Sequence, residues 1–110
     1  MKEKAVVYGL GRCWEDHYKR IINDYDVVYC SDRNPDKMGS TKGFAFVAPQ
    51  RIEACEYDRL IICNYRYGIR EELLLNFEIP ISKIFYCTEL YGDIVTRPEE
   101  EKAKCEESLT

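Results

Sequence analysis

The residues best placed to do chemistry are two glycines with a basic neighbour, Gly9-Leu10-Gly11-Arg12, and, one apolar run later, Asp32. Glycines at this spacing let backbone approach a phosphate with no Cβ in the way. A helix opening directly after them offers N–H groups that have no intrahelical partner. Arg12, at that helix start, pairs with the same phosphate or stands solvated. Asp32 offers acceptors for the hydroxyls of a ribose, or caps the turn ahead of Asn34-Pro35; the spacing admits both. Arg33 beside it would meet a 2′-phosphate, the group that separates NADP from NAD. A second group, Asn64-Tyr65-Arg66-Tyr67, follows the strongest buried-strand signal in the chain, at the strand end where open α/β sheets seat ligands. Asn64 and Tyr65 line such a site or cap the next helix.

Other reactive side chains carry less. Cys13 and His17 are four apart, which is metal-ligand spacing on a helix, but two ligands are too few and no second pair stands near them in sequence. No metal is expected. His17 has no Ser or Cys nucleophile beside it, and Arg66 and Arg70 are wrongly spaced from Cys63 for a C-x5-R phosphate cradle. No catalytic residue is expected either. The six cysteines, at 13, 30, 55, 63, 87 and 105, contain no C-x-x-C pair. Cys30, Cys63 and Cys87 close apolar runs, so they read as reduced, buried small hydrophobes.

These groups need a scaffold that holds them at one edge. Residues 4–8 form a continuous apolar strand, of the kind covered on both faces. Residues 13–24 predict a helix, with Trp14, Tyr18, Ile21, Ile22 and Tyr25 on one side and Glu15, Asp16, Lys19 and Arg20 on the other. A second strand spans 26–31. A turn-rich loop follows, with one helical turn after Pro35, then a short third strand over 44–47 and a short helix from Pro49 to about Cys55. A fourth strand is predicted over 58–64, a helix over 67–78 with Ile69, Leu73, Leu74 and Phe77 on one face, and a fifth strand over 83–87. Strands alternating with helices predict a three-layer α/β fold, a five-stranded, mostly parallel sheet with helices on both faces. The order strand, glycine turn, helix, strand, acid is that of the opening of a dinucleotide-binding fold. Residues 1–93 read as one such domain, and 94–110 as an acidic helical or frayed tail.

Composition narrows the partners. The net charge of −4 argues against a nucleic-acid surface. No apolar stretch approaches the roughly 20 residues of a membrane span, and the apolar strand follows Met1-Lys2-Glu3-Lys4 at once, so neither membrane insertion nor a signal peptide is expected. The expected location is cytoplasmic. A homodimer is compatible with these features, though nothing in the sequence marks one.

Read in order, Val7-Tyr8-Gly9-x-Gly11, Asp32-x-Asn34-Pro35-x-Lys37-x-Gly39, Gly43, Val47-x-Pro49, Asp58-x-Leu60-Ile61-Ile62, Ile69-x-x-x-Leu73 and Ile79-Pro80-x-x-Lys83-Ile84 resemble the small Rossmann-like domains of bacterial surface-polysaccharide biosynthesis. Such domains are similar to the NAD-binding half of nucleotide-sugar dehydratases and to the N-terminal domain of sugar acetyltransferases. The resemblance spans roughly residues 4–88. It implies a domain that binds NAD or a nucleotide sugar at the C-terminal ends of its strands, alongside a partner enzyme of the pathway. The sequence departs from G-x-G-x-x-G where Trp14 stands in the third glycine's place. A tryptophan there fills the pocket or stacks on a base. If it fills the pocket, the alternative is a ligand-free interaction module that docks a partner enzyme. The chain has no Tyr-x-x-x-Lys pair of the dehydratase kind and no length for a substrate domain, so catalysis by it alone is not expected.

Overall fold

Four apolar runs become the strands of one parallel sheet: β1 Lys4–Tyr8, β2 Asp26–Ser31, β3 Arg59–Ile62 and β4 Ile84–Tyr86, in the order β2-β1-β3-β4. The computed structural model describes residues 1–92, so the tail expected over 94–110 lies outside the described residues. Among the described residues, three α-helices accompany the sheet: α1 Arg12–Asp24, α2 Ile69–Asn76 and α3 Cys87–Tyr91. Short 3-10 helices at Pro35–Ser40, Pro49–Ala54 and Ile81–Lys83 complete the connections.

Successive side chains of a strand point to opposite faces, and the core divides accordingly. Ala5 and Val7 of β1 and Ile61 of β3 join Cys13, Trp14 and Ile21 of α1 on one face. Val6 and Tyr8 of β1 and Leu60 and Ile62 of β3 join Ile52, Tyr57, and Ile69 and Leu73 of α2 on the other. Both faces of β1 and β3 are therefore buried, which explains why these strands read as unbroken apolar runs rather than alternating ones. On α2, Ile69 and Leu73 are buried as expected, whereas Leu74 faces outward with Leu75.

The expected third strand over 44–47, and with it the five-stranded sheet, is a correction. That segment meets β2 only through an isolated parallel bridge between Cys30 and Phe46. Two hydrogen bonds make it: Cys30 N–H to the Ala45 carbonyl (2.7 Å) and Val47 N–H to the Cys30 carbonyl (2.9 Å). Ala48 already caps the 3-10 helix that opens at Pro49, and a turn with Lys42 and Gly43 at positive φ precedes Phe44, so too few residues remain to extend a ladder. The sheet is four-stranded.

Helix α3 is an addition to the expected elements. Its first turn is held by Tyr86 N–H donating to Glu89 Oε1 at 2.8 Å, while Arg70 of α2 pairs with the same carboxylate. Among the described residues, no helix is long and apolar enough to cross a membrane.

Candidate functional site

β2 lies on one side of β1 and β3 on the other. The loops leaving the C-terminal ends of β1 and β3 therefore diverge, and a crevice opens between them, as it does wherever strand order reverses in an open α/β sheet. Gly9 sits at its base. Its N–H donates to the Ser31 carbonyl, and Cys63 N–H donates to the Tyr8 carbonyl, both at 2.8 Å. This draws the β1 turn against the end of β3. A Cβ on Gly9 would stand 2.6 Å from the Cys63 carbonyl oxygen, and its φ is +107°. Glycine is required there by the fold itself.

Gly11 is different. Its φ is −95°, and a Cβ there would meet nothing within 4 Å. Packing does not ask for glycine there, although the position is the N-cap of α1, which prefers glycine to alanine. Its missing side chain leaves the start of α1 uncovered, and no side chain caps that helix. Gly11, Arg12 and Cys13 border a compartment of the crevice, and an uncapped helix start beside open space is a setting suited to an anion.

Asp32 holds this turn in place. Its Oδ2 accepts from Leu10 N–H and its Oδ1 from Asn34 N–H, each at 2.8 Å. The turn-capping role left open in the sequence is thus real, and it is joined by a bond across to the glycine turn. A carboxylate has about four acceptor positions, so these two bonds leave room for a hydroxyl.

The crevice has three compartments, and Asp32 lines each of them. One of about 270 Å³ lies over the glycine turn, lined by Gly9, Gly11, Arg12, Lys37, Asn64 and Tyr65 together with Cys13 and Cys63. A neck of about 80 Å³ runs past Tyr8, Arg33, Arg66 and Glu72. It leads to an apolar cleft of about 410 Å³ walled by Tyr8, Pro35, Phe46, Pro49, Leu73 and Phe77, with Arg33 and Asn76 at its edge. Cations therefore gather at the glycine end and aromatic surface at the other.

All seven residues singled out in the sequence, Gly9, Gly11, Arg12, Asp32, Arg33, Asn64 and Tyr65, meet along this crevice. They meet it in different ways. Arg12 stands at the rim, 87% exposed, 3.8 Å from Asp16. The carboxamide oxygen of Asn64 accepts from Arg66 N–H at 2.8 Å and so shapes its own loop, while the cap of α2 is Gly68. The Tyr65 hydroxyl donates to Asp16 at 2.5 Å, and its ring meets His17 edge-on. Burial and the Asp16 hydrogen bond push that phenol well above its ordinary value. Tyr8 is also held neutral: burial raises it, Asp32 raises it further, Arg33 opposes and Glu72 adds to the rise. It enters the crevice wall as a hydroxyl that can donate.

Trp14 neither fills the turn nor faces a ligand. It is fully buried on the α1 face of the sheet, packs on Tyr18, and donates from Nε1 to the Ser40 carbonyl at 2.8 Å. It anchors the loop after β2. No sequence signal marks the apolar cleft, because Phe46 and Phe77 have the pattern of a strand and of a helix face. Only the tertiary structure brings the Phe46 segment, bridged to β2, to the same cleft as Leu73 and Phe77. Lys37 also lines the crevice.

A family model described as C2185-like, N-terminal, matches residues 1–85. The chain belongs to this family. The matched region runs from β1 into β4 and contains every crevice residue named above. Cys87 and α3 lie just beyond the matched C2185-like region. No curated protein matches the chain significantly.

Proposed function

We propose that this C2185-like domain is Rossmann-like and binds a nucleotide, NAD or a nucleotide sugar, along the crevice. The phosphates would lie over Gly11 and the first turn of α1, between Arg12 and Lys37. The ribose would lie at Asp32, and the remaining apolar part between Tyr8, Phe46 and Phe77. The observation that carries the reading is the contrast between the two glycines. The fold accounts for Gly9, whereas nothing packs where a Gly11 Cβ would stand, which leaves the helix start open to a ligand. The Phe46 bridge adds support: counted as a rudimentary edge element, it gives the order 3-2-1-4-5 that belongs to dinucleotide-binding sheets. Trp14 packs in the core, away from the turn, which favours a ligand over the docking-module alternative. The setting implied by the sequence resemblance is a surface-polysaccharide pathway, in which the domain would hold the nucleotide part of a sugar donor for a partner enzyme, with no catalytic residue of its own.

The test is a thermal-shift panel of NAD, NADH, NADP, and UDP- and CDP-linked sugars. A ligand at 100 times its Kd adds about 2.7 kcal/mol, which for a domain of this size moves Tm by on the order of 10 °C. The expected result is one clear stabilising ligand whose effect disappears in Gly11→Val, with the variant still unfolding cooperatively. A flat panel at millimolar ligand, or an undiminished shift in Gly11→Val, removes the reading.

A further inference from the structure

Three thiols from distant parts of the chain meet beside the glycine turn. Cys13 is in the first turn of α1, Cys63 follows the last residue of β3, and Cys87 opens α3 directly after β4. Their Sγ atoms all lie within 4.8 Å of one another, and all three residues are buried. We propose that Cys13, Cys63 and Cys87 form a binding site for a thiophilic divalent cation of the Zn²⁺ class. This proposal does not rest on the nucleotide reading.

The geometry suits such an ion. Metal–sulfur bonds of about 2.3 Å place the sulfurs of a trigonal or tetrahedral thiolate site roughly 3.8–4.0 Å apart, so the cluster needs to contract by less than about 1 Å. The access route is the compartment over the glycine turn, which both Cys13 and Cys63 line. It also provides space for a fourth, exchangeable donor. The surroundings suit the charge. Three thiolates around a divalent ion leave one negative charge, next to the first turn of α1, with Arg12 and Lys37 lining the same compartment. His17 orients the Cys13 ligand: its Nδ1 donates to the Cys13 carbonyl at 3.0 Å and lies 3.8 Å from the Cys13 sulfur. A ring nitrogen so close to a ligand atom is the kind of outer-sphere contact that tunes a metal site.

Burial pushes the Cys63 thiol well above its ordinary value, and the neighbouring thiols of Cys13 and Cys87 add to the rise. A bound cation reverses this, because a coordinated thiol gives up its proton. Binding breaks three S–H bonds, forms three metal–sulfur bonds and releases three protons to solvent. No electron is transferred.

The experiment is a Co²⁺ titration of the full chain, kept reduced with a non-thiol reductant and read by absorbance. Proton release is followed in the same sample with a pH indicator. Expected are sulfur-to-cobalt charge-transfer and four-coordinate d–d bands that saturate at one ion per chain, three protons released per ion, and loss of the bands on adding Zn²⁺. Cys63→Ser should weaken binding by at least the roughly 10-fold that removing even an outer-sphere partner costs, and Cys55→Ser should leave it unchanged. Reduced wild-type protein without charge-transfer bands overturns the proposal, whatever the variants do. So do bands that survive in a folded Cys63→Ser protein or vanish in Cys55→Ser.

Discussion

Alanine at Gly9 and alanine at Gly11 should have very unequal consequences for stability, although only Leu10 separates them on one turn. At Gly9 two costs add. The first is conformational: a φ of +107° is foreign to residues with a Cβ, and left-handed backbone costs about 1–2 kcal/mol in such residues. The second is steric. The added Cβ would sit 2.6 Å from the Cys63 carbonyl oxygen, a backbone atom that no rotamer change can move. Relief means parting the β1 turn from the end of β3, where Cys63 N–H bonds to the Tyr8 carbonyl. Overpacking of this kind costs roughly 1–3 kcal/mol, so Gly9→Ala should lose about 2–5 kcal/mol in all. At Gly11 the new methyl meets nothing within 4 Å, and φ is already negative. What remains is the preference of a helix cap for glycine over alanine, at most about 1 kcal/mol. Urea denaturation read by far-UV circular dichroism checks both, with stability taken from the midpoint at constant slope. Each kcal/mol is worth about 4–8 °C in Tm for a domain of this size, so Gly9→Ala should melt at least about 8 °C lower. A Gly9→Ala protein within 1 kcal/mol of wild type, or one no less stable than Gly11→Ala, would show that the turn relaxes freely. The assignment of Gly9 to the fold and Gly11 to a ligand would then collapse.

Two further outcomes concern other parts of the structure. Trp14→Phe keeps most of the ring but removes the donor to the Ser40 carbonyl; the expected loss is about 1–3 kcal/mol, with faster proteolytic cleavage inside residues 35–43. Cleavage there at the wild-type rate would mean that the tryptophan does not anchor the loop. Alkaline pH should destabilise the domain in part through Cys30, whose thiol burial pushes up from 9.0 to about 12. Because the folded form keeps a proton that the unfolded chain has lost, stability is intact below pH 9 and falls as pH rises toward 12. The slope for one group is about 1.4 kcal/mol per pH unit. Cys30→Ala should flatten the stability profile across that window, and an unchanged slope would remove Cys30 as the source.

What could be read from the chain alone was whatever depends on neighbours in sequence. The apolar run of β1, the helical periodicity of α1 and the glycine turn between them are local signals, and their bounds agree with the structure to within a residue. Residues 44–47 had strand composition, but a strand needs a partner along its length, and the nearby Pro49 leaves Phe46 a single bridge. Helix α3 depends on Glu89 reaching back to Tyr86 N–H and on Arg70 arriving from α2, so no periodic stripe announces it. The glycine-end residues of the crevice were legible because they follow strands whose C-terminal ends a parallel sheet must gather at one edge. Trp14 was ambiguous because one helix position can face a pocket or a core, and only the register of α1 on the sheet decided between them. The apolar cleft and the cysteine cluster belong wholly to the tertiary structure. Cys13, Cys63 and Cys87 have no spacing that relates them; they meet because the β1-β3-β4 order stacks three strand ends side by side.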